Sequence, residues 1–158
     1  MRTRIIFLWL TLLILSSCDS NYIVKDIINL DQDGWGENKI LNFDFKVPDS
    51  SAKYTIYYTV RYNNDFQNYN LYVKHFLLDS SGKEIHSMIQ GMDLFKPTTG
   101  EPYGSGIGNT YDYKIISFPK YKFPYPGLYS IRIQQYMRQP FLKGIDAFGI
   151  NIKNNQEK

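Results

Sequence analysis

Downstream of residue 40 the chain alternates apolar and polar positions with a period of two. Leu41, Phe43, Phe45 and Val47 are interleaved with Asn42, Asp44 and Lys46, the pattern of a strand with one face on a core and the other in water. Tyr54, Ile56, Tyr58, Val60 and Tyr62 repeat it against Thr55, Tyr57, Thr59 and Arg61, and β-branched and aromatic side chains suit such a pleated surface. Further strands are predicted over residues 71–78, 84–92, 111–118, 129–134 and 146–153, the last with Phe148, Ile150 and Ile152 inward. Turn chemistry separates them: Pro48-Asp49-Ser50-Ser51, Asn63-Asn64-Asp65, a hairpin loop at residues 79–83, and a rigid corner at Phe123-Pro124-Tyr125-Pro126-Gly127. No stretch carries an apolar period of 3.6 residues. About seven or eight short strands without helices predict an all-β fold, an antiparallel β-sandwich of immunoglobulin-like or jelly-roll type. Residues 93–109 hold Gly100, Gly104, Gly106 and Gly108 with Pro97 and Pro102. That stretch is long for a purely structural connection and is expected to be mobile.

The amino terminus follows a different logic. Arg2 and Arg4 precede an apolar run over residues 5–15 that only Thr11 interrupts, the dimensions of a secretory signal. It is too short to span a bilayer, which takes about 20 residues. Leu15-Ser16-Ser17-Cys18 resembles the lipobox of bacterial lipoproteins, which places a cleaved signal peptide over residues 1–17 and a lipid on Cys18. Cys18 is the only cysteine, so acylation also accounts for an exported chain with no disulfide partner. One acyl chain binds a membrane marginally, at ~0.8 kcal/mol per buried methylene, whereas two or three anchor it stably. The expected organisation is then a lipidated terminus and short tether over residues 18–30, a sandwich over 31–153 and a polar tail over 154–158 that frays. Losing Arg2 and Arg4 lowers the formal charge from +3 to +1, so the net charge makes no electrostatic case for nucleic acid or anionic partners.

Candidate chemistry is sparse. Gly104-Ser105-Gly106-Ile107-Gly108 imitates a phosphate loop, yet no helix pattern follows it. Asp31-Gln32-Asp33-Gly34 suggests calcium, but an EF-hand counted from Asp31 would place Trp35 and Asn42 at ligand positions. His75 and His86 lie on neighbouring predicted strands and are too few for a zinc site, so cross-strand packing is the expectation. No serine sits in a nucleophile elbow, and the acids fall mostly in turns and on solvent faces. No catalytic residue, no metal and no cofactor beyond the covalent lipid on Cys18 are expected. Aromatic residues make up 16% of the chain; most should be core residues with phenol oxygens at the rim. Tyr57 and Tyr72 are expected on exposed faces, where aromatic patches serve protein contacts or glycan stacking.

Gly34-Trp35, the segment Arg61-Tyr62-Asn63-Asn64-Asp65-Phe66 with Asn70-Leu71, and Tyr129 through Arg138 with its Ile133-Gln134-Gln135-Tyr136-Met137-Arg138 run, followed by Gly144-Ile145 and Gly149-Ile150, resemble the GldH family of gliding-motility lipoproteins of Bacteroidota. The resemblance implies a non-enzymatic protein of the cell envelope, lipid-anchored to the inner or outer membrane, that supports surface gliding and the adhesin-export machinery coupled to it. Its partners would be the membrane and other envelope proteins of that apparatus. A carbohydrate-binding sandwich is the alternative, with glycan held on exposed Tyr and Trp. The candidate interaction patch is Trp35, Arg61, Asn63, Asn64, Gln135 and Arg138, because a Trp and two Arg beside amide side chains have the composition of binding surfaces.

Overall fold

The computed structural model describes residues 21–156; the signal peptide and Cys18 lie outside the described residues. Eleven strands follow in order: β1 (Tyr22–Asn29), β2 (Trp35–Gly36), β3 (Leu41–Val47), β4 (Tyr54–Asn63), β5 (Asn70–Asp79), β6 (Glu84–Asp93), β7 (Ser105–Ile107), β8 (Thr110–Tyr121), β9 (Gly127–Gln135), β10 (Phe141–Leu142) and β11 (Ile145–Asn154). One sheet has the order β1-β11-β4-β8-β7 and the other β3-β9-β5-β6, with β2 and β10 forming a separate short ribbon. Every pairing is antiparallel.

The eight long strands nest: β1 pairs with β11, β3 with β9, β4 with β8, and β5 with β6. First is joined to last, and so on inward to a central hairpin, which is the jelly-roll solution of the two sandwich types expected. Alternation explains the layering. Leu41, Phe43, Phe45 and Val47 of β3 and Tyr54, Ile56, Tyr58, Val60 and Tyr62 of β4 are all buried, and they meet across the sandwich with Val73 and Leu77 of β5, Ile131 and Ile133 of β9 and Phe148, Ile150 and Ile152 of β11.

The aromatic residues fill this core and turn their polar ends to its rim. Tyr54 donates to the Asp49 carbonyl at 2.7 Å, Tyr62 to the Leu94 carbonyl at 2.7 Å and Tyr129 to the Tyr125 carbonyl at 2.6 Å. His75 is fully buried, 2.9 Å through Nδ1 from the Tyr58 hydroxyl. Its Nε2 lies 3.4 Å from His86 Nδ1, so the two histidines do meet across the β5–β6 hairpin. Tyr72 is exposed as expected, whereas Tyr57 is half-buried under the Lys114 ammonium, 4.2 Å from its ring.

Three boundaries differ from the sequence reading. Residues 22–29, read as part of a tether, form β1 along the edge of β11, so the sandwich begins before residue 31. Residues 93–109 are not a bare loop: Leu94 is buried, Phe95 bridges to Pro102, and β7 adds a short edge to β8. The tail starts later than residue 154, because Asn154 and Asn155 donate backbone bonds to the Asn21 and Lys53 carbonyls at 2.8 and 2.9 Å.

Antiparallel pairing gives the sandwich two distinct ends. Strand starts and finishes place residues 30–40, 63–69, 93–109 and 136–144 at one end. Tyr22, the turns at 48–53, 79–83 and 122–126, and the end of β11 gather at the other.

Candidate functional site

The loop end farthest from Tyr22 is built from four connections that hydrogen-bond to one another. Asp31 and Gly34 close a turn, the Gly34 amide donating to the Asp31 carbonyl at 2.9 Å. Gly34 takes φ +105°, and a Cβ there would lie 2.5 Å from the Leu142 carbonyl oxygen, so only glycine lets this turn close against β10. The turn swings Trp35 inward, where it is fully buried, tilted on Phe148 at 5.5 Å, and donates Nε1–H to the Lys39 carbonyl at 2.9 Å. Lys39 in turn pairs with Asp31 at 2.6 Å.

The other loops lock onto this frame. Glu37 donates its amide to the Pro140 carbonyl at 2.8 Å, and Asn63 donates its amide to the Gly144 carbonyl at 2.9 Å. The Asn63 side chain spans two elements, donating to Asp146 Oδ1 at 2.9 Å while its Oδ1 accepts from the Asp65 amide at 2.8 Å. Gln135 is buried because both ends of its amide serve the next turn: Nε2 donates to the Gln139 carbonyl at 2.9 Å and Oε1 accepts from the Met137 amide at 2.8 Å. Residues 93–109 join through Tyr62, whose hydroxyl accepts from the Gly104 amide at 3.0 Å while donating to Leu94.

Several open hollows result. One, of about 580 Å³, lies between residues 30–34, 63–65 and 143–146 and is rimmed by Asp31, Asp33, Asp65, Asp146 and Lys143. A second, of about 440 Å³, is lined by Glu37, Asn38 and residues 134–138. Tyr69, Tyr72, Tyr103, Tyr136 and Phe141 stand exposed around this end, between 42% and 62% of their surface in solvent. Among the described residues, the near-parallel ring pair that includes one of them is Tyr103 on Tyr113, at 5.9 Å and 21°.

The six patch residues do not form one surface. Trp35 and Gln135 are buried supports beneath the loops. Arg61 lies on the solvent face of the five-stranded sheet, held by two bonds of 2.9 Å to Asp112 on β8. That carboxylate raises the guanidinium pKa, first through the hydrogen bonds and then through its charge. Asn63 braces the first hollow, and Asn64 lines a shallower one beside Phe66, Asn68 and Tyr69. Arg138 is exposed and lines the second hollow. The exposed rings of Phe141, Tyr136 and Tyr103 were not singled out by sequence; nothing in their neighbours separates them from the many core aromatics. Among the described residues no three His, Cys, Asp or Glu side chains converge as metal ligands.

Comparison with known proteins matches the geometry to a family. Residues 22–152 fit the model of the GldH lipoprotein family, which spans the sandwich from the start of β1 to within two residues of the end of β11. A gliding motility lipoprotein GldH homolog from Christiangramia forsetii is 28% identical over 152 residues, covering 92% of this chain and 91% of that one. The gliding motility lipoprotein GldH of Flavobacterium johnsoniae is 25% identical over 155 residues, with 92% and 93% covered. Among solved structures, that of the infectious bursal disease virus Gx strain overlaps 83% of this chain and 29% of its own at 12% identity and a TM-score of 0.40, too loose a likeness to bear on function. With its sandwich matched from first strand to last, the chain belongs to the GldH lipoprotein family.

Proposed function

We propose that the chain is a lipoprotein of the cell envelope, acylated at Cys18 after removal of residues 1–17, that supports gliding motility and the associated protein-export machinery as a non-catalytic interaction module. The names of its relatives support the process and the anchor, and the order of basic start, apolar run and lipobox supports the acylation site. The observation that carries the module reading is the polarity of the sandwich. The described chain starts at one end, and the interlocked loops with their exposed rings and charged hollows stand at the opposite end. An anchor confines the domain to a surface and raises its effective concentration toward neighbours there, and the loop end is the part presented to them.

Protein partners fit better than glycan. The exposed rings stand among acids and amides, the composition of a protein-binding rim with a few aromatic anchors. The test is crosslinked affinity capture from living cells with the wild type, Cys18→Ala and a Tyr136→Ser/Phe141→Ser variant. The reading predicts specific envelope neighbours that both variants lose. Neighbours retained by the double variant would exclude the loop end as the contact surface.

A further inference from the structure

We propose that the end of the sandwich nearest the lipidated cysteine docks directly on anionic phospholipid, so that the domain stands upright on its membrane with the loop cluster pointing away. The inference rests on acylation of Cys18 and goes beyond it, because a lipid anchor alone does not orient what it carries.

The first argument is reach. Three residues separate Cys18 from Tyr22, and over the four Cα–Cα steps, at no more than ~3.5 Å each, the leash is at most about 14 Å long. β4 has 10 residues, and at ~3.3 Å each the sandwich is about 30 Å from end to end. The leash is therefore shorter than the domain. The turns at 48–53, 79–83 and 122–126, which share an end with Tyr22, are within reach of headgroups, whereas the loops at the other end reach them only if the domain lies flat.

The second argument is charge. Residues 46–53, 79–84, 119–126 and 153–156, around the Tyr22 end, hold six lysines and three acids, an excess of three positive charges. Asp19, beside the anchor, offsets one of them. Lys53, Lys83, Lys120 and Lys122 are exposed. Two of the acids are already engaged: Asp49 accepts from the Ser51 amide and hydroxyl at 2.8 and 2.9 Å, and Asp79 accepts from Ser81, from the Lys83 amide and from the Tyr125 hydroxyl at 2.8 Å. Residues 30–40, 63–69, 93–109 and 136–146, at the loop end, hold seven acids and four bases, an excess of three negative charges. An anionic surface thus attracts one end and repels the other, and lysines close to such a surface add to anchoring. Tyr125 and Leu128, 39% and 60% exposed at the same end, supply an amphipathic ring and an apolar side chain suited to the headgroup layer.

The lipidated chain is reconstituted in vesicles of phosphatidylethanolamine and phosphatidylglycerol at a 3:1 ratio, and in phosphatidylcholine alone, with acylation of Cys18 read by intact mass. A fluorophore on Ser80→Cys or on Asn38→Cys reports distance to a headgroup acceptor dye. In anionic vesicles the Ser80→Cys label should lie about 20 Å or more nearer the headgroups than the Asn38→Cys label, given a sandwich about 30 Å long. At about fivefold per lysine, Lys53→Gln/Lys120→Gln/Lys122→Gln should reduce the upright population by an order of magnitude or more, with an unchanged melting temperature. Half-molar salt should act alike. An acylated chain whose two labels are equidistant, or whose Ser80→Cys distance is the same in both vesicle types and in the triple variant, overturns the docking alone. An unacylated Cys18 overturns the anchor and the docking together.

Discussion

Acidification should destabilise this sandwich through one buried histidine. His75 has no solvent exposure; Phe118 packs on its ring at 4.7 Å and His86 stacks against it at 5.4 Å, the two being themselves 5.2 Å apart. Burial first, and then the neighbouring His86, pushes its pKa down to about 4 from the ordinary 6.5. Between those values the unfolded chain binds a proton that the folded chain refuses, so stability falls as pH falls. At 1.36 kcal/mol per pK unit, the loss between pH 8 and pH 5 is roughly 2 kcal/mol. Asp79, held at about 2 by Ser81 and Tyr125, and Asp49 and Glu101, both lowered by their hydrogen bonds, titrate below this window. Their stabilisation is lost only as pH falls further. Guanidinium unfolding of the mature Cys18→Ala chain, followed by the fluorescence of Trp35 at pH 8, 6.5 and 5, measures the slope. His75→Phe removes the proton site and one hydrogen-bond partner of the buried Tyr58 hydroxyl, costing about 1–3 kcal/mol at every pH, and should flatten the profile. A wild type that changes by less than about 0.5 kcal/mol over that range, or a variant that declines in parallel, would refute the linkage argument.

Trp35→Ala should cost about 3–5 kcal/mol in the same unfolding assay, since it empties the largest buried side chain under the loop cluster. Gly144→Ala should cost more than about 2 kcal/mol, because its φ is +78° and a Cβ would strike the Phe66 backbone nitrogen. Arg61→Ala should cost under about 1 kcal/mol, the Arg61–Asp112 pair being 43% and 48% exposed on its two side chains; a larger loss would mean that the pair organises more than its own two strands. In the capture experiment, Arg138→Ala should weaken recovery of neighbours while leaving the melting temperature unchanged, whereas Gln135→Ala should lower that temperature by freeing the turn that its amide closes.

How much of this was legible in sequence depended on where each residue's partners come from. β3 and β4 were readable because a half-buried strand writes its own alternation, as Leu41 to Val47 do. β1 was not: Ile23-Val24 and Ile27-Ile28 come in pairs, because an edge strand leaning on β11 is only partly covered on either face. The jelly-roll order lies in pairings such as β1 with β11, more than 100 residues apart, which no local pattern encodes. Among the patch residues, Asn63 and Asn64 were correctly placed at a turn, but the roles of Arg61 and Gln135 depended on partners that folding supplies. Asp112 reaches Arg61 through the β4–β8 register, 51 residues away, and Gln135 is buried only because the chain after it turns back. Trp35 shows the limit most clearly. A tryptophan beside a glycine reads equally well as a surface anchor or a core residue, and the choice was made by Gly34, whose positive φ turns it inward.

Metabolic labelling with an alkyne palmitate, followed by separation of membranes from aqueous extract, asks directly whether position 18 fixes where the protein works. The account predicts that the wild type carries the label and sediments with membranes, and that Cys18→Ala does neither. A wild type recovered unlabelled in the aqueous fraction, or a Cys18→Ala chain that still carries the label, would contradict it.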